Sequence, residues 1–223
     1  MANKGNSRHI NRLASTKYMK VGRKTSAYVA KPNPGRHALD ISISLGTVLK
    51  EKLAVVQSLR EAELMLHSGF VMVNGKVIKD RKYPVGFNDV IELIPSKEKY
   101  SVSSGKNGVF AIKKSEGKQL FKVLGKYTGR KGAIMIRLHD GATVTAGKDV
   151  KVNDTVELLD GKPGNVIKME TGRKCFVMRG THASESGVIK DINQGTATRS
   201  ALVRIEGGAG EFETLLDNIM VTG

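Results

Sequence analysis

Apolar residues recur at three- and four-residue intervals through Leu45, Val48, Leu49, Leu53 and Val56, and again through Leu59, Ala62, Met65 and Leu66. This spacing puts them on one face of a 3.6-residue turn and predicts two amphipathic helices within residues 45–68. Their junction reads Ser58-Leu59-Arg60-Glu61. That is a capping box, in which the Ser58 hydroxyl accepts from the Glu61 amide while the Glu61 carboxylate reaches back. Gly69 supplies the stop. The period then shortens: Phe70-Val71-Met72-Val73 and Lys76-Val77-Ile78 flank Asn74-Gly75, a dipeptide suited to a type I′ turn, so a hairpin is predicted. A further strand over residues 89–94 completes a small α+β module.

After residue 105 the texture changes, and 18 of the 25 glycines fall in the last 119 residues. Short strands are predicted over 109–113, 121–124, 133–138, 143–145, 155–159 and 166–169, with turns at Asp140-Gly141, Asp160-Gly161 and Pro163-Gly164. Further strands are predicted over 175–178, 187–192, 201–205 and 219–221. Many short strands at this spacing suggest small β-barrels or sandwiches. The best linker positions are 95–105 and 170–174.

Charge changes the picture at the other end. The formal net charge is +16, and residues 1–36 hold nine Lys or Arg with no acid, whereas residues 171–223 balance six bases against six acids. A phosphate-binding field needs its cations close together, so this arm points to nucleic acid. With few large apolar residues and several Gly and Pro, the arm is expected to stay disordered until a polyanion neutralises it. A solubilising tail or a polybasic membrane patch are the alternatives, but neither an amphipathic face nor a lipidation signal is present. The N-terminus lacks a signal-peptide apolar region and no run approaches a membrane span, so a soluble, cytoplasmic protein is expected. One cysteine, Cys175, excludes an intramolecular disulfide and any Cys-clustered zinc site.

Catalytic chemistry is hard to assemble. The five histidines are scattered without metal-ligand spacing. The Gly141–Asp149 stretch lacks the Ser or Thr of a phosphate-binding loop, and its glycine spacing is one residue too long. Arg137-Leu138-His139-Asp140 distantly resembles a catalytic-aspartate loop of RNA-modifying enzymes, although a strand ending in an Asp-Gly turn explains it better. No nucleophile, base and orienter set emerges, so the sequence reads as a binding protein and not an enzyme, with no cofactor and no metal.

The run Ser58-Leu59-Arg60-Glu61-Ala62, followed by Gly69 through Val77, resembles the S4-type RNA-binding module. Other stretches resemble one family end to end: His9-Ile10-Asn11-Arg12-Leu13, Pro34-Gly35-Arg36-His37, Tyr83 through Val90, His139-Asp140-Gly141, Val152 through Val156 and Asn218 through Gly223. On these the chain is similar to the S4e family of archaeal and eukaryotic small-subunit ribosomal proteins, in its archaeal form, since it lacks the eukaryotic C-terminal extension.

The resemblance implies an α+β multidomain fold: a basic N-terminal extension over 1–37, an S4-type module over 38–96, a central β domain over 97–170 and a KOW-type SH3-like barrel over 171–223. It implies a structural constituent of the small ribosomal subunit, ribosome-bound, with small-subunit ribosomal RNA and neighbouring ribosomal proteins as partners and neither membrane nor small-molecule substrate. The rivals are an RNA-modifying enzyme or a free translation regulator carrying the same module. Expected RNA contacts are Lys4, Arg8, His9, Arg12, Lys17, Lys20, Arg23, Lys24, Arg36 and His37 in the arm and Ser58, Arg60, Lys76, Lys79, Arg81 and Lys82 in the module. Lys126, Arg130 and Lys131 are further expected RNA contacts, on a basic loop in the central domain, with a merely solvated loop as the alternative. For Ser58, a purely structural capping role is the competing expectation. The KOW pattern wants glycines where this chain has Gly180, Ser184 and Gly187, and Glu185 replaces a customary cation.

Overall fold

The computed structural model describes residues 9–105, 109–114, 119–129, 132–147, 149–159, 162–196, 198–208 and 210–223. The chain divides into two compact units, the first running to Val102 with Ile112–Lys114 added, the second comprising Ser103–Ala111 and Ser115–Gly223.

In the first unit, strands β1 (Ile10–Asn11) and β2 (Tyr28–Val29) pair antiparallel, with a 3-10 turn at Arg12–Ala14 and another at Lys17–Met19 between them. This corrects the expectation of a disordered arm over its described part. Few apolar residues are available, but Met19 and Val29 are buried at 0% and 5% exposure, so the segment contributes to a core that other elements complete.

Strand β3 (Ile43–Ser44) leads into the first helical segment, α1, an α-turn at Leu45–Thr47 continued by a π-turn at Val48–Lys52. Its leading amides are satisfied from outside, Leu45 N–H by the Tyr83 carbonyl and Gly46 N–H by the Arg81 carbonyl. The second helix, α2 (Leu59–His67), opens on the predicted capping box: Glu61 N–H donates to Ser58 Oγ at 3.2 Å, and Ser58 N–H to Glu61 Oε2 at 3.3 Å. It closes with paired bonds from Gly69 N–H to the Leu66 carbonyl and from Phe70 N–H to the Met65 carbonyl, the Schellman arrangement.

The hairpin follows as β4 (Val71–Val73) and β5 (Lys76–Val77), with Val73 opposite Lys76. Asn74 (φ 48°) and Gly75 (φ 74°) occupy the left-handed region that a two-residue type I′ turn demands. Strands β6 (Pro84–Val85), which pairs with β3, β7 (Val90–Leu93), β8 (Glu98–Gly105) and β9 (Val109–Lys114) complete the region, and one sheet has the order β5-β4-β7-β8-β9. The predicted linker at 95–105 is therefore largely strand: Val90 pairs with Ser101 and Leu93 with Glu98. Its alternation buries Val102 and Ser104.

The second unit contains two antiparallel sheets. The first joins β10 (Gln119–Thr128), β11 (Ile134–Leu138), β12 (Thr143–Thr145), β13 (Thr155–Leu159) and β14 (Lys162–Ile167) in the order β12-β11-β10-β13-β14. Phe121, Val123, Ile136, Leu138, Val150 and Val156 form its core. Pro163-Gly164, expected as a turn, lies inside β14. That strand is at the sheet edge, where a missing amide costs no ladder bond. The expected turn at Asp160-Gly161 lies outside the described residues.

The second sheet joins β15 (Lys174–Val177), β16 (Ser186–Asn193), β17 (Leu202–Gly207), β18 (Gly210–Leu215) and β19 (Ile219–Val221) in the order β18-β17-β16-β15-β19. Cys175, Val177, Ile189, Val203, Ile205, Ile219 and Val221 make its core, with Ile167 and Met169 packed against it. Strand β18 is absent from the sequence expectation. Within the same unit Val221 N–H donates to Thr155 Oγ1 at 3.2 Å, and the buried Lys122 ammonium donates to the Leu216 carbonyl at 2.6 Å.

Candidate nucleic-acid interface

Folding sorts the expected RNA contacts into separate groups. Lys4, Arg8, Arg130 and Lys131 lie outside the described residues. Lys17 sits in the short 3-10 turn preceding Lys20.

Two expected contacts are internal. Arg12 is 4% exposed, and its guanidinium donates twice to the Glu51 carboxylate at 2.6 and 3.1 Å, to Ser26 Oγ at 2.9 Å and to the Gly22 carbonyl at 2.8 Å. Its charge is paired and four of its hydrogen-bond donations are internal, so it tethers the arm onto α1. His37 is equally buried, with Nε2 2.9 Å from Asp89 Oδ2. Asp89 also accepts from Gly86 N–H and from the Asn74 side chain. Burial alone would raise the Asp89 pKa. The hydrogen bond and charge of His37, with the Gly86 and Asn74 bonds, outweigh it and hold the carboxyl below its ordinary value. This knot ties the end of the arm to the hairpin turn.

Three further residues have partial commitments. Ser58 is spent on the capping box. Arg81 pairs with Glu63 at 3.2 Å, joining the 78–83 loop to α2. Lys126 donates to the Val150 carbonyl at 2.9 Å, which anchors its ammonium on its own domain. Arg81 and Lys126 thus give donors to oxygens of the same chain, whereas Ser58 Oγ accepts from the Glu61 amide.

The remaining cations face solvent. Lys20, Arg23 and Lys24 are exposed on the arm, Arg60 on the first turn of α2, and Lys76 and Lys79 on and after β5. His9 is set edge-on against the Tyr28 ring, with centroids 4.8 Å apart. Arg36 and Lys82 are half-buried, and the arm is stitched to the loop that bears Lys82: Asn33 N–H donates to the Lys82 carbonyl, and the Asn33 amide to Asp80 Oδ2 at 2.8 Å. These residues all belong to the first unit.

Sequence reading missed Lys52. Its ammonium donates to the Lys20 carbonyl at 3.1 Å. Burial and then the nearby positive charge of Lys20 lower its pKa, against a smaller opposing effect of Glu51. The nearby like charge disfavours the ionised form of Lys52, and an anion placed there would favour it. The residues are 32 apart in the chain, so no local pattern could have paired them.

Enzyme-like stretches resolve as architecture. Asp140 Oδ1 accepts from Ala142 N–H at 2.8 Å in the turn after β11, and His139 Nδ1 accepts from Lys122 N–H at 3.2 Å. Among the described residues no cluster of His, Cys, Asp and Glu has metal-binding geometry, and no helix is long and apolar enough to cross a membrane.

Comparison with known proteins gives matches of one kind. Residues 47–91 match the S4 domain and residues 96–160 match the Ribosomal family S4e. The small ribosomal subunit protein eS4 of Methanocella arvoryzae is 33% identical over 219 residues, covering 96% of this chain and 94% of its own. The eS4 protein of Thermoplasma volcanium is 35% identical, covering 95% of this chain and 91% of its own. The crystal structure of the 30S ribosomal protein S4e from Thermoplasma acidophilum superposes with a TM-score of 0.70 at 30% identity, covering 82% of this chain and 96% of that one.

Proposed function

The chain belongs to the ribosomal S4e family, and from that premise we propose that it is a structural constituent of the archaeal small ribosomal subunit, held there by ribosomal RNA. It is ribosome-bound in the cytoplasm and is not an enzyme. The observation that carries the RNA reading is the coincidence of the S4-domain match with the capped helix and hairpin that leave Arg60, Lys76 and Lys79 exposed. The adjoining arm adds Lys20, Arg23 and Lys24.

Affinity comes chiefly from phosphate neutralisation by these cations. Placement comes from RNA shape and unpaired bases. The domain limits are read as an arm to residue 37, the S4-type module to 96, a central β domain to 170 and a KOW-type barrel beyond. In favour of the last, Ser184 at φ 80° adopts the left-handed conformation that the family's glycine would take. Gly187 supports it too, since a Cβ there would stand 2.4 Å from the Glu206 carbonyl oxygen. In this domain Glu185 lies 3.4 Å from His182 Nδ1, and the domain's balanced charge favours protein or shape contacts over phosphate binding.

Paired substitutions test the RNA reading. Ser58→Ala removes the cap and costs roughly 0.5 to 2 kcal/mol of stability. Arg60→Ala leaves thermal stability nearly unchanged, weakens binding to small-subunit RNA and flattens the log K versus log salt slope by roughly 0.7 to 0.9. Arg60→Ala with an unchanged slope and affinity would defeat the assignment.

A further inference from the structure

An open surface cavity of about 580 Å³, in the size range of small-ligand sites, lies on the arm beside the segment that joins β1 to β2. Its lining is apolar at Leu13, Ala14, Ala27 and Tyr28 and polar at Asn11, Lys24 and Ser26. Leu13 is 65% exposed and Tyr28 57%, so both present apolar surface to solvent at the cavity. They are also held in place. Asn11 lies opposite Tyr28 in the ladder, Arg12 N–H donates to the Ala27 carbonyl, and the Arg12 side chain beneath is locked to Glu51. The His9 ring meets Tyr28 at 79°, steadying the phenol ring.

Resting on the RNA reading above, we propose that this cavity receives one unpaired nucleotide of small-subunit ribosomal RNA, its base against Tyr28 and its phosphate at Lys24. Each wall matches a part of that occupant. A base has two apolar faces, which an aromatic ring and aliphatic side chains cover, and unstacked RNA bases are commonly stacked on aromatic side chains. Its edge carries donors and acceptors, and the Asn11 amide offers both. Its phosphate is an anion, and Lys24 has no ion-pair partner among the described residues. Residues 1–36 contain no acid, and the Glu51 carboxylate that reaches the arm is already paired with Arg12. An apolar peptide would cover the apolar lining but would gain nothing from the surrounding cations. The tight hold on β1 and β2 pre-organises the site, so little ordering cost is incurred on binding.

The test uses the full chain and small-subunit ribosomal RNA, with filter binding across a salt series and ultraviolet crosslinking. Tyr28→Ser should weaken binding about 5- to 150-fold, the range for loss of one base–aromatic stack. The salt slope should not change, because no phosphate contact is lost. Tyr28→Phe should bind like the parent. Leu13→Glu, at an even more exposed position, should weaken binding by placing a carboxylate in the cavity. Crosslinking should join the Tyr28 peptide to a single nucleotide in the parent and not in Tyr28→Ser. Parental affinity of Tyr28→Ser at every salt concentration, with no crosslink at Tyr28, overturns the proposal and leaves the RNA reading intact. Unchanged RNA affinity with reduced incorporation into subunits also overturns it, since the occupant would then be a protein. Failure of the parent chain to bind the RNA at all would instead defeat the RNA reading.

Discussion

Replacing Arg12 separates a structural cation from a phosphate ligand, because the two roles predict opposite results in two assays. In Arg12→Ala the arm loses four hydrogen bonds, two of them to Glu51. Removing one partner of a fully buried ion pair costs about 3 to 5 kcal/mol, whereas an exposed pair is worth about 0 to 1 kcal/mol. This pair lies between those limits, since Arg12 is 4% exposed and Glu51 19%. Water can reach the abandoned carboxylate, and Ser26 keeps its bond to the Tyr28 carbonyl. A loss of about 2 to 3 kcal/mol is therefore expected.

Denaturant unfolding of the full chain measures the global part, and amide hydrogen exchange at Arg12 and Ile10 measures local release of the arm. Exchange should accelerate there even if the rest of the unit holds. Binding to small-subunit RNA should keep its salt slope, because Glu51 already neutralises the guanidinium. The double variant Arg12→Met/Glu51→Leu should recover much of the lost stability, since no charge is then stranded. Unchanged stability and exchange in Arg12→Ala, together with a slope flattened by about 0.7 to 0.9, would refute the tether and make Arg12 a phosphate ligand.

Other perturbations address the buried titratable groups. The folded pKa of Asp89 lies below its unfolded value, so its contribution to stability is fully present above about pH 4 and is lost as pH falls through the folded pKa. Asp89→Asn should be less stable at pH 7 and show a shallower loss of stability in acid, read by denaturant melts from pH 2 to 7. Lys122 acts in the same sense in a more alkaline window: burial lowers its pKa to about 8, only partly offset by Asp217. The unfolded chain then binds more protons between about pH 8 and 10.5, so stability should rise with pH over that window, and Lys122→Met should abolish the rise.

Locally encoded features were legible in the sequence. The Ser58-Glu61 cap, the Gly69 stop and the Asn74-Gly75 turn each depend on residues within a few positions, and the structure has all three. The same holds for most β-strands, whose alternating pattern is local. Partners distant in sequence were not legible: Arg12 and Glu51 are 39 residues apart, His37 and Asp89 52, and Lys122 and Leu216 94. The arm's order was missed because composition counts only what the segment itself can bury, and Met19 and Val29 use a core supplied by other elements. Strand β18 did have a signal, Phe212 and Thr214 alternating with Glu211 and Glu213, but it is an edge strand with few apolar residues.

The placement of carboxylates, more than that of lysines, decides where the molecule can meet RNA. In the C-terminal sheet Lys190 lies 3.4 Å from Glu206 and hydrogen-bonds Glu211, while Arg204 pairs with Glu213 at 2.8 Å, so these cations present little free field. The Glu211 hydrogen bond, with Glu206, raises the Lys190 pKa, as expected for an ammonium that already has its anion. Exposed pairs of this kind add little stability. Their consequence is electrostatic: a neutral lattice displaces few of the counterions condensed on RNA. The arm has the reverse arrangement. Arg12 pairs with a carboxylate from α1, and Lys20, Arg23 and Lys24 remain exposed, with Lys52 drawn close to Lys20. With nine bases and no acid in residues 1–36, the net charge of +16 is concentrated towards the arm and is not a uniform coat.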